Sequence, residues 1–251
     1  MTVHFIGAGP GAADLVTVRG RALISRCQVC LHASGLVPEE ILEYAPPGAR
    51  VVDTAALSVA EAVEECRLAE ERGQDVAWLQ AGDFSAQACI EERRSLDQLG
   101  IAYTVTPGVP YVAAAMAAVG DGMILPEAPS IALMAAVGTS WTMPPTETLE
   151  ALVGCRATLA VPLPARAVDA FVKALRPLQH DDCPAALIDG FAGREQRVTR
   201  GTLATIIDRA DFSASDRMVM LVVGRAPARS ELCDTPRPDA GRSRRHRGSG
   251  G

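Results

Sequence analysis

Short apolar runs alternate with longer amphipathic stretches through most of the chain, the pattern of strands and helices following one another. Val3 to Ile6 reads as the first strand and about Thr17 to Arg26 as a helix. Gln28 to His32 and Arg50 to Asp53 read as strands around a short helix, Pro38 to Tyr44. Ser58 caps the next helix with Glu61 three residues on, and Gly73 ends it. Asp75 to Leu79 is a strand, Ser85 to Leu99 a helix, Ala102 to Val105 a strand and Val109 to Val119 an alanine-rich helix. These elements make an α/β unit with a mostly parallel sheet. The two glycines and two prolines of GDGMILPEAP mark a break in the pattern. Beyond it come strands at Ser130 to Met134, Ala157 to Leu163, Ala185 to Asp189, Gln196 to Arg200 and Met218 to Val223. Helices are expected at Thr148 to Val153, Ala165 to Leu175 and Thr202 to Ala210. The organisation expected is an N-terminal α/β domain over 1–119, a linker over 120–129, a C-terminal α/β domain over 130–225 and a disordered tail over 226–251.

Composition narrows the classes. Of 251 residues 48% are apolar, enough for a sizeable core. The net charge of -6 argues against a general nucleic-acid binder, and the arginine-rich RSRRHRGSGG reads as solvated tail. No uncharged apolar run is long enough to span a bilayer, and the opening strand, in place of a charged and then apolar leader pattern, sets the expectation of no signal peptide. Seven cysteines, an odd number, fit free thiols in a reducing cytoplasm. Cys27 and Cys30 form CQVC, but no second close pair accompanies them, so buried thiols are expected rather than a metal site. Of the four histidines, only His32, at a strand end, points toward a cleft of the kind open α/β sheets form.

The stretch GAGPGA follows the first strand, where a dinucleotide-binding loop would sit. Its spacing is G-x-G-x-G with Pro10 inside it, and proline has no N–H for a phosphate. The run VCLHAS also ends without the acid that would hold a ribose.

With its companions the loop reads differently. FIGAGPGAADLVTVRG, VCLHASGLVP, PPGARVVDTAALS, AGDFS, TPGVP and RGTL together resemble the precorrin-4 C11-methyltransferases, a family of the tetrapyrrole methylase superfamily. The resemblance covers residues 1 to 225. It implies two α/β domains with a cleft between them, S-adenosyl-L-methionine folded in that cleft, a tetrapyrrole (precorrin) substrate, methyl transfer to C11 in cobalamin biosynthesis, and a homodimer. No metal, nucleic acid or membrane partner is expected. Carried over by position, the donor contacts are Pro10, Ala81, Gly82, Asp83, Ala86, Pro110, Tyr111, Leu163 and Gly201. Asp83 has a second reading as an N-cap for the helix that follows. No catalytic base carries over, because the acid of the uroporphyrinogen methylases falls at Ala33. Arg19, Arg21, Arg197 and Arg200 are candidates for the substrate carboxylates, each more readily read as a solvated surface arginine.

The chain departs from the family around the expected cleft. The strand that usually ends in Thr-Arg reads Ile131 to Ala136 without an arginine. A Tyr/Trp-Arg-Ala-Ser-Trp-Pro-like segment is replaced by Ile188-Asp189-Gly190-Phe191-Ala192-Gly193. These changes leave open a methylase for another tetrapyrrole intermediate, or a paralogue that binds tetrapyrrole without catalysis.

Overall fold

The computed structural model of the chain describes residues 1–83, 89–120, 130–133, 144–155, 157–190, 196–210 and 218–224. The linker from 121 on, Ala86, Ala135, Ala136 and the tail lie outside the described residues.

Five parallel strands build the first sheet: β1 (Val3–Gly7), β2 (Val29–His32), β3 (Arg50–Asp53), β4 (Val76–Gln80) and β5 (Tyr103–Thr106), in the order β3-β2-β4-β1-β5. The central strands are apolar on both faces because helices cover both faces of a parallel sheet. Val3, Phe5, Trp78 and Leu31 enter one core with α3 (Val59–Glu71) and α4 (Ile90–Leu99). Ile6, Cys30, Ala77 and Leu79 enter the other with α1 (Val18–Ile24) and α2 (Glu39–Leu42). Ser58 and Glu61 close the expected capping box, satisfying two backbone donors left over at the start of α3. Cys27 and Cys30 are both buried thiols, as read from the sequence.

The second sheet is mixed. Its strands are β6 (Ile131–Leu133), β7 (Thr158–Pro164), β8 (Pro184–Asp189), β9 (Arg197–Thr202) and β10 (Met218–Val223), in the order β6-β7-β10-β8-β9. Only β6 and β7 run parallel; the other neighbours are antiparallel. Period-two alternation sends Leu159, Val161 and Leu163 to one face, with Phe171 and Leu175 of α7 (Val168–Leu175) and Leu149 of α6 (Thr146–Gly154). Ala160, Ala186, Ile188, Met220 and Val222 form the other face.

That second face is covered by α5 (Tyr111–Val119). The helix belongs, in sequence, to the segment read as the N-terminal domain, yet its side chains are buried on the C-terminal sheet. Residues 202 to 210 also differ from expectation. Thr202 is still in β9, paired with Pro184, and helix α8 spans only Ile206–Arg209. The Thr205 hydroxyl, accepting from Thr202 N–H at 3.0 Å, offers the backbone a turn in place of a helical bond.

Candidate functional site

Three loops meet at the C-terminal edge of the first sheet, where open α/β sheets bind ligands. They leave β1, β4 and β5, adjacent strands by the sheet order. Gly9 and Gly82 form an antiparallel bridge between the first two loops, with N–H to carbonyl distances of 2.9 and 2.7 Å. Ala8 N–H donates to the Gln80 carbonyl at 2.7 Å. The third loop closes on both. A Cβ on Gly7 would stand 2.4 Å from Gly108 N, and one on Gly108 would stand 2.2 Å from Gly82 O. The three backbones touch where no side chain fits. Gly9 and Gly82 also have φ of +79° and +69°, in the left-handed region that favours glycine.

Tyr111 opens α5 and lies on this junction: a Cβ on Gly82 would meet its ring at 3.0 Å. Burial pushes the Tyr111 phenol up to about 12, so it is protonated at neutral pH. Pro10 is buried beneath the edge, and Ala81, Asp83 and Pro110 are half-buried along it. The structure therefore brings together Pro10, Ala81, Gly82, Asp83, Pro110 and Tyr111. Sequence reasoning missed Gly7 and Gly108, whose function is mutual backbone approach; GAGPG and TPGVP hold the signal, but not the partner of each glycine.

Leu163 and Gly201 stand apart from each other. Leu163 is opposite Val219, which is opposite Asp189. Gly201 is opposite Ala185, four residues or roughly 13 Å back along the strand. Leu163 is fully buried, its side chain in the C-terminal core. Gly201 follows Arg200, whose guanidinium reaches the last turn of α5. Tyr111 is at the first turn, about 12 Å away along the helix. The structure does not bring Gly201 to the glycine junction. Gly190, with φ +57° directly after Asp189, is the glycine at the Leu163 end of the sheet.

The arginines separate in the same way. The Arg21 guanidinium stacks over the Tyr44 ring, 4.7 Å from its centre, a cation–π contact. Arg200 donates from Nη2 to Val119 O at 2.6 Å. Arg19 and Arg197 are exposed. His32 ends β2 with 8% of its surface exposed, its carbonyl held by Thr54 N–H at 2.7 Å, and its Nδ1 has no hydrogen-bond partner. Among the described residues no group of three or more His, Cys, Asp or Glu could hold a metal ion. No helix among them is long and apolar enough to cross a membrane.

The profile of the tetrapyrrole (corrin/porphyrin) methylases matches residues 2–207. The chain belongs to the tetrapyrrole methylase family. Among similar methylases, a Precorrin-4 C(11)-methyltransferase of Sinorhizobium sp is 45% identical over 252 aligned residues, covering 100% of both chains. One of Mycobacterium tuberculosis is 43% identical, covering 89% of this chain and 90% of its own. The crystal structure of a cobalt precorrin-4 methyltransferase superposes with a TM-score of 0.82 at 27% identity, covering 90% of this chain and 95% of that one. The two-sheet architecture described above is thus that of the methylase family.

Proposed function

We propose that this chain transfers a methyl group from S-adenosyl-L-methionine to C11 of precorrin-4 in cobalamin biosynthesis. The observation that carries the reading is the 45% identity, end to end, with a relative named for that reaction. The glycine junction supports the donor's place. Its edge is poor in side chains, and the Tyr111 ring fills the space that a Cβ on Gly82 would need, so backbone and ring are the surfaces offered there. On this reading Pro10, Ala81, Gly82, Asp83, Pro110 and Tyr111 hold the donor with the Leu163 backbone. Ala86 keeps its place on sequence grounds alone. Gly190 takes the place first given to Gly201.

Bound there, the donor supplies an electrophilic methyl group on a sulfonium sulfur. The protein's part is to align that group with an electron-rich carbon and to exclude water. Pro10 offers a rigid wall without an N–H, and the protonated Tyr111 presents a neutral hydroxyl beside a cationic ligand. We also propose two α/β domains over 1–119 and 130–225 with a linker over 120–129 and a tail over 226–251, a homodimer, and a cytoplasmic location; the family resemblance and the free thiols support these.

A second reading has its own observation. Asp189 ends β8 at the Leu163 end of the sheet, where the family resemblance puts an arginine. A carboxylate there disfavours a polycarboxylate substrate, which supports a related tetrapyrrole with fewer charges at that edge.

The test combines calorimetry with turnover. S-adenosylhomocysteine should bind the purified chain, and precorrin-4 should gain one methyl group by mass spectrometry. No binding at millimolar ligand refutes the methylase reading. Binding with transfer only to another tetrapyrrole selects the second.

A further inference from the structure

We infer that Arg200 is a positioning residue for the donor site: its bond to the end of α5 sets where Tyr111 sits over Gly82. The inference rests on the proposed donor site. Helix α5 links the two sheets. Its first residue packs on Gly82 of the first sheet's edge, and its body lies on the second sheet. The sequence of the helix, YVAAAMAAV, has five alanines and no charged side chain. The facing sheet offers Ala160 and Ala186 among its contacts. Methyl groups on both sides make shallow ridges, which resist sliding along the axis weakly. A directional bond is needed to fix the axial position.

Arg200 supplies it. The residue sits in β9 opposite Ala186, two positions from Val198, whose side chain packs in the α5 cluster, so both face the helix. Nη2 donates to Val119 O at 2.6 Å, across 81 residues of sequence. Val119 is the last residue of α5, and its carbonyl has no acceptor role within the helix. A guanidinium there also meets the negative end of the helix dipole. The Nε is buried without a hydrogen-bond partner, and the Arg200 carbonyl is itself held by Arg209 Nη1 at 3.1 Å. The bond thus ties the far end of α5 to a strand that is braced from behind.

Arg200→Met keeps the stem and removes the donors; Arg200→Lys keeps one charged donor. Titration calorimetry with S-adenosylhomocysteine on the full chain should show about tenfold weaker binding for Arg200→Met, the scale of one charge-assisted hydrogen bond, and recovery for Arg200→Lys. Hydrogen exchange should quicken in the 111–119 segment and not in β1 or β4. In the Tyr111→Ala background Arg200→Met should cost no further affinity, because its effect passes through Tyr111. Unchanged affinity in Arg200→Met, or an additive loss in the double variant, overturns the inference. Should Arg200→Met fail to fold, Arg200→Lys with affinity as poor as an alanine at Tyr111 also overturns it. A parent chain that does not bind the probe refutes the donor-site reading first, and this inference with it.

Discussion

Replacing Gly108 by alanine is the sharpest test of the three-loop junction. The new Cβ would lie 2.2 Å from Gly82 O and 2.8 Å from Gly7 C. Ordinary contact starts near 3.4 Å, so the Gly82 carbonyl must retreat by roughly 1.2 Å. Both obstacles are backbone, and neither can rotate away. The same carbonyl accepts from Gly9 N–H at 2.9 Å, so the retreat breaks that bond. Overpacking costs about 1–3 kcal/mol, and the lost bond about 1 kcal/mol more. Together that is roughly 2–4 kcal/mol, or a Tm lower by about 4–16 °C for a chain of this size. Urea unfolding and calorimetry measure it, and S-adenosylhomocysteine binding should weaken at least about tenfold, since Gly82 carries Tyr111. Gly154→Ala is the control: nothing stands within 4 Å of its Cβ, it is the last residue of α6, and it should change stability by no more than about 0.5 kcal/mol. A Gly108→Ala protein as stable as the parent, with unchanged binding, would refute the claim that the loops share one rigid junction.

Three further outcomes are expected. The N–H groups of Ala55 and Ser34, with the Ser34 hydroxyl, hold the Asp53 carboxylate down at about 2. A depressed carboxylate stabilises above its unfolded value near 3.9, so the Tm gap between the parent and Asp53→Asn should be constant above about pH 5 and close as pH falls toward 2. A gap that widens in acid contradicts this. Burial pushes the thiols of Cys27, Cys30, Cys66 and Cys89 up to about 12, so a thiol reagent at pH 8 should modify exposed Cys155 quickly and leave those four until denaturant is added. Phe171→Ala, at a fully buried position of the C-terminal core, should cost about 3–5 kcal/mol; a loss under 1 kcal/mol in urea would show that this core collapses around the gap.

What the sequence determined by itself was local. Apolar runs and their punctuation located every strand of both sheets to within two residues, because alternation and buried runs are imposed by the pleat and the cover above it. Ser58 with Glu61 foretold a helix start, since a cap acts over three residues. The motifs GAGPG, AGD and TPGVP were legible as strand-end loops, and the family resemblance offered them as a donor site. Only tertiary structure decided which backbones those glycines touch: Gly7 to Gly108, Gly108 to Gly82, Gly9 to Gly82. The partners in these three contacts lie 101, 26 and 73 positions apart in the chain. Tertiary structure likewise put α5 on the second sheet, a choice its uniform alanines could not announce. It drew Arg200 from a presumed substrate face to the end of that helix, and it set Gly201 apart from Leu163 through strand register. The physical reason is common to all of these. Propensity and capping are summed over neighbours in sequence, whereas close approach, register and the partner of a charged side chain are fixed by neighbours in space.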